Sequence, residues 1–150
     1  MTSQLLLGML LLLGGAGVAR AQAPPGPVPA IVSKGLDALE EGRCRDAFDA
    51  WTADWQYGRS VAQRQELMQS CDNLHELGAA LHGHHVVQIV YLTPFLCRVY
   101  VVLRYERHPM FLMVEAYAPV DAEWRITAII WSRDSDKVLP VAPLEPVPGG

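Results

Sequence analysis

The second half of the chain contains four strand-like segments joined by very short gaps, and this feature constrains the fold more than any other. The segments are rich in Val, Ile and aromatic residues, as is typical of β-strands. They cover residues 84–92, 95–107, 110–118 and 123–132. Gaps this short join antiparallel neighbours, because a parallel pair needs a long crossover connection. The sequence therefore predicts a four-stranded antiparallel sheet in which each strand pairs with the next.

The first half of the chain has the apolar spacing of helices. Apolar residues recur at helical intervals across residues 29–41. A second helix is predicted from Cys44, and a third from Ser60 to about Gly78. Helices that precede an antiparallel sheet indicate an α+β domain, here residues 30–138, in which the helices cover one face of the sheet.

The two ends of the chain have compositions unlike that of a folded domain. Residues 1–23 contain an apolar run and an Ala-x-Ala end, the pattern of a secretory signal peptide, with an uncleaved anchor as the alternative. The Pro-rich residues 24–29 are predicted as an extended arm, and residues 139–150 as a disordered tail. We therefore expect a periplasmic or secreted protein with no membrane span after signal cleavage.

The charge balance argues against one class of partner. The chain has 12 Lys and Arg against 16 Asp and Glu, a formal net charge of −4. It offers no basic stripe of the kind that binds nucleic acid, so we expect no nucleic-acid partner.

Three cysteines, Cys44, Cys71 and Cys97, lie in what we expect to be an exported chain. An oxidising compartment favours one disulfide and one remaining thiol. Three pairings are possible. The helix patterns favour Cys44 with Cys71, because both lie on the buried faces of helices that a short connection packs together. Cys97 lies mid-strand on an apolar face, which argues against a role as a nucleophile.

Alternation along the strands separates an apolar face from a mixed one. On the mixed face, which we call the second face, the candidate ligand-binding or partner-binding residues are Arg98, Tyr100, Arg104, Met113, Glu115, Tyr117 and Trp131. Simple alternation also predicts that Ile129 lies on this face and that Phe95, Ala128 and Ile130 lie on the apolar face. A solvated face rarely carries so many large apolar groups, and a dry core rarely carries such charges.

Three interpretations of the second face remain open. It is a concavity that holds a small ligand, a contact between copies of the chain, or a half-exposed sheet decorated by cross-strand pairs.

The stretch RVYVVLRYERHPMFLMVEAYAPVDAEWRITAIIWSRD resembles exported bacterial proteins of the NTF2-like superfamily, including SnoaL-like domains. The residues that carry the resemblance are Tyr117, Pro119, Trp124 and Arg125, and it covers residues 30–135. It implies a cone-shaped α+β fold with N-terminal helices packed on a curved antiparallel sheet. Members of the superfamily include ketosteroid-isomerase-like enzymes, dehydratases, ligand binders and assembly domains, commonly dimers through the sheet. Such a fold does not by itself define a function.

An isomerase-like enzyme needs an acid-base carboxylate and hydrogen-bond donors for an oxyanion. Glu115 is the acid that alternation predicts within the second face, with Tyr100 and Tyr117 as donors. An arginine close by, Arg98 or Arg104, would keep this carboxylate ionised and paired, which suits a structural role better.

We therefore predict a non-catalytic domain that binds a small ligand or a protein partner through the second face and needs no cofactor. The alternatives are a ketosteroid-isomerase-like or dehydratase-like enzyme that uses Glu115, and a dimerisation module with no ligand.

A metal site is not predicted. His82, His84 and His85 follow Cys71 and His75 at spacings that match no common zinc pattern, and alternation sends His84 and His85 to opposite faces. The sequence also lacks a phosphate-binding glycine loop, a nucleophile elbow and a zincin motif.

Overall fold

The computed structural model describes residues 26–55, 59–76, 79–119 and 123–140. The helices are α1 (Ala30–Glu40), α2 (Cys44–Trp51) and α3 (Arg59–Glu76). The strands are β1 (Leu81–Thr93), β2 (Leu96–Tyr105), β3 (Pro109–Tyr117) and β4 (Arg125–Ser132), followed by a 3-10 turn at Ser135–Lys137. The predicted signal peptide, the first residues of the Pro-rich arm and residues 141–150 lie outside the described residues.

The strands form one antiparallel sheet in the order β1-β2-β3-β4, so the predicted pairing of consecutive strands is confirmed. Helices α1 and α2 pack together, and the helical layer contacts the sheet, which confirms the α+β class. Strand β1 begins at Leu81, earlier than predicted, with a register shift between Leu81 and His84. Gly83 lies within this shift at φ +132°, a backbone conformation that other residues rarely adopt.

The core lies between the helices and the sheet, and its largest members are aromatic. Phe48 contacts Trp51 and Trp131 edge to face, with ring centroids 5.7 and 5.2 Å apart. Trp55 donates a hydrogen bond from its indole nitrogen to the carbonyl of Ile126 at 2.7 Å, which ties the end of the α2 segment to β4. Each of these rings packs between the helices and the sheet, and the indole N–H of Trp55 also has an acceptor. Together these contacts fix the helices against one face of the sheet.

A disulfide joins α2 to α3. Cys44 and Cys71 are bonded with their Cα atoms 5.7 Å apart, as the helix patterns predicted. Beside it, Arg45 donates to Asp72 at 2.9 Å, so a covalent and an ionic link connect the same two helices. Cys97 is free and buried, and burial raises the pKa of its thiol to about 11. A thiol in this state is a poor nucleophile at neutral pH.

The alternation predicted for β4 is wrong beyond Thr127. Glu115 pairs with Ala128, but its neighbour Ala116 pairs with Ile126, so Thr127 is an extra residue in a β-bulge. A bulge of one residue moves every later side chain to the opposite face of the sheet. The residues that change face are Ile129 and Trp131, which join the core, and Ala128 and Ile130, which lie on the second face.

A short segment after β4 returns across the second face. Val138 is buried against Tyr100 and Met113, which are only 8% and 6% exposed, and the three form a small apolar cluster separate from the main core. Leu139, the first residue of the predicted tail, packs against this cluster. Part of the second face is therefore covered by the chain itself.

Candidate functional site

Strand pairing brings five of the seven predicted site residues together on the second face. Neighbouring rows of this face hold the pairs Tyr100 with Met113, Arg98 with Glu115, and Leu96 with Tyr117. The first row lies under Val138 and is closed to solvent. The row of Arg98 with Glu115 and the row of Leu96 with Tyr117 remain at least partly accessible to solvent.

The centre of the face is an ion pair whose acid also accepts a hydrogen bond from a third residue. Arg98 donates from Nε to Glu115 Oε2 at 2.9 Å. Thr127 donates from its hydroxyl to the other oxygen, Glu115 Oε1, also at 2.9 Å. The hydrogen bond to Glu115 raises the pKa of Arg98 above its ordinary value, so the guanidinium stays charged. Both carboxylate oxygens thus accept from a neighbour, an arrangement that fixes the orientation of the carboxylate.

Thr127 was not singled out from the sequence as a partner for Glu115. The pairs Tyr117 with Arg125 and Ala116 with Ile126 bring the next residue of β4, Thr127, alongside Glu115. The contact was missed because it depends on the register between β3 and β4, which a single strand does not show.

Two predicted site residues lie elsewhere. Arg104 is opposite Pro109, towards the other end of β2, and donates to the carbonyl of His82 at 3.1 Å rather than to Glu115. Trp131 packs on Phe48 in the core, so its predicted position on the second face is wrong. The cause is again the bulge at Thr127.

Large apolar side chains are exposed around the ion pair and at the adjacent end of the sheet. Tyr117 and Ile130 lie on the second face, and Leu92 and Phe95 lie at the turn between β1 and β2. These four side chains are between 40% and 59% exposed. Phe95 was predicted to lie in the core, but its position in the turn leaves it outside. Among the described residues, the other large apolar side chain that is notably exposed is Val61 on α3.

The histidine cluster forms a structural contact. His84 donates its backbone N–H to Glu40 Oε1 at 2.8 Å, and its Nδ1 lies 2.7 Å from the same oxygen. This pair joins the end of α1 to the start of β1. Cys71 is taken by the disulfide. Within the described ranges, no three His, Cys, Asp or Glu side chains converge as metal ligands do.

A wide groove of about 740 Å³ lies along α2 and α3. Its walls carry the ion pairs Arg45 with Asp72 and Arg64 with Asp49, so its charges neutralise one another. The groove therefore presents no net charge to a ligand from these four side chains.

Comparisons with known proteins identify no relative: no family model matches the chain, and no match is found among curated proteins or solved structures. In the part of the chain that the structure describes, none of the helices has the length and apolar character needed to cross a bilayer.

Proposed function

We propose that this chain is an exported, non-catalytic domain of the NTF2-like kind that associates with a second copy of itself through the second face. The observation that carries the proposal is the pair of exposed apolar side chains, Tyr117 and Ile130, that share the second face with the Arg98–Glu115 ion pair. Exposed apolar patches of this kind mark interaction sites more often than isolated surface residues do.

The state of Glu115 supports a binding role over catalysis. A general base must be free to turn towards the proton that it removes. Glu115 instead accepts from Arg98 and Thr127 on its two oxygens. Tyr100, which an enzyme of this type would use as an oxyanion donor, is buried beneath Val138.

The charges of the face support a second copy as the partner. In a symmetric dimer the same patch meets itself, so a residue that contacts a second residue across the interface is matched by the same contact in reverse. A two-fold axis near the ion pair would bring Arg98 of one protomer towards Glu115 of its partner, while Tyr117 and Ile130 supply apolar area. A patch that carries both signs of charge is in this way complementary to itself.

Export is supported by two independent features. The disulfide between Cys44 and Cys71 is typical of proteins that mature in an oxidising compartment. The N-terminal apolar run with its Ala-x-Ala end is typical of a cleaved signal.

Sedimentation velocity over a range of protein concentrations tests the association. We expect the wild type to sediment as a dimer and the double variant Tyr117→Ser, Ile130→Ser as a monomer, because a few large side chains carry much of the energy of an interface. Val61→Ser is the matched control, since Val61 is similarly exposed but lies on the helical layer. A wild type that stays monomeric throughout the range, or a double variant that still dimerises like Val61→Ser, would refute the proposal.

A further inference from the structure

A small, partly open cavity of about 230 Å³ lies at the opposite end of the sheet from the β1–β2 turn. Its walls come from the last turn of α3, the turn between β2 and β3, and the residue after β4. Leu74 and Met110 are buried and line its apolar part, together with Ala79 and Tyr105. Because Tyr105 and Met110 belong to the core side of the sheet, this cavity is separate from the second face.

Apart from the hydroxyl of Tyr105, the polar side chains that line the cavity are basic. They are Arg107, His108 and Arg133, and no carboxylate lies among the lining residues. The chain as a whole carries a net charge of −4. The positive charge at this cavity is therefore opposite in sign to the net charge of the chain. A cavity wall with charges of one sign attracts a ligand of the opposite sign.

The two arginines of the cavity differ from the other arginines whose side chains the structure describes. Those others bond to a carboxylate or a carbonyl: Arg43, Arg45, Arg64, Arg98, Arg104 and Arg125. Arg107 and Arg133 have no ion pair or hydrogen bond to any described residue. Two guanidinium groups without partners thus line the same cavity, and each offers the planar donor pair that matches a carboxylate.

Tyr105 adds a neutral donor. Burial raises the pKa of its hydroxyl to about 12, so it stays protonated under physiological conditions. The hydroxyl has no hydrogen-bond partner among the described residues.

We propose that this cavity binds a small organic carboxylate with an apolar body. The carboxylate is held by Arg107 and Arg133, and the apolar body packs against Met110. Inorganic phosphate matches the charge but would leave the apolar walls without a contact. The cavity volume lies below the ~300–1,000 Å³ typical of sites for drug-sized ligands, so the ligand is smaller than a drug.

Isothermal titration of the purified, disulfide-bonded chain with benzoate tests the proposal. We expect saturable binding, and we expect the double variant Arg107→Gln, Arg133→Gln to bind benzoate at least ~10-fold more weakly, since each charged hydrogen bond that is lost costs about that factor or more. Arg125→Gln is the matched control, because it removes one exposed arginine from β4 outside the cavity. Unfolding curves of the variants check that the fold is kept.

Two further titrations define the ligand class. Benzyl alcohol keeps the ring without the charge, and inorganic phosphate keeps the charge without the ring. We expect both to bind more weakly than benzoate. Absence of benzoate binding, an affinity unchanged in the double variant, or phosphate binding as tight as that of benzoate would each overturn the proposal. The oligomeric state does not enter these outcomes.

Discussion

Trp131 meets Phe48 edge to face across the boundary between the sheet and the helices, with ring centroids 5.2 Å apart. The contact exists because the bulge at Thr127 turns the end of β4 towards the core. It links β4 to α2, which the disulfide in turn links to α3.

Because of this contact, we expect truncation of two aromatic residues of the sheet to lower the free energy of unfolding by very different amounts. We expect Trp131→Ala to lower the free energy of unfolding by ~3 kcal/mol, because it leaves a cavity beside Phe48. Tyr117→Ala should change it by less than ~0.5 kcal/mol, because Tyr117 is exposed. Urea unfolding of both variants, at concentrations where the protein is monomeric, makes the comparison. Equal losses would contradict the position of Trp131 in the core.

The ion pair of the second face should show a measurable coupling. A double-mutant cycle with Arg98→Met and Glu115→Gln is expected to give ~0.5–1 kcal/mol, because Glu115 is largely buried while Arg98 remains partly solvated. The pair of Arg125 and Asp54 is a suitable control, since both side chains are more than half exposed and their atoms lie 3.6 Å apart. The coupling energy of this control pair should be close to zero. A larger coupling energy for it than for Arg98 with Glu115 would contradict the prediction.

Gly35 should tolerate no side chain, although it lies within α1. A Cβ atom at this position would lie 2.1 Å from the ring of Trp51. In a free helix, Gly→Ala stabilises by up to ~1 kcal/mol, but here the overlap should reverse the sign and destabilise by ~1–3 kcal/mol. Thermal unfolding decides between the two signs. Lys34→Ala, at an exposed position of the same helix, serves as the control and should have little effect.

The buried thiol of Cys97 predicts a loss of stability in alkali. Its pKa is about 11 in the folded protein against a reference of 9.0, so between these values the unfolded chain loses a proton that the folded chain keeps. The contribution of this thiol is complete below pH 9 and declines as the pH rises to 11, with a slope of up to ~1.4 kcal/mol per pH unit.

Urea unfolding between pH 8 and pH 11 tests this prediction, with Cys97→Ala as the comparison. The variant should be less stable at pH 8 because it leaves a cavity, but its stability should fall less steeply with pH. Parallel curves for the two proteins would show that the thiol does not titrate as we infer.

Much of the fold could be predicted from local pattern. The four strand segments, the three helices and the pairing of Cys44 with Cys71 follow from residue spacing, and the structure contains them all. The Arg98–Glu115 pair was within reach for the same reason, because alternation places both on one face of adjacent strands. Its second donor, Thr127, was not identified, because the contact depends on the register between β3 and β4.

The sequence by itself determined which segments become helices and strands, because burial of one side of a helix or strand imposes a period that can be read locally. Only the tertiary structure decided which face the end of β4 presents, since the position of a bulge depends on the pairing of β4 with β3. It also decided that Val138 closes part of the second face, and that Arg107 and Arg133, far apart in sequence, line one cavity. Contacts between residues so distant in sequence depend on the path of the whole chain, and the local spacing of apolar residues does not predict them.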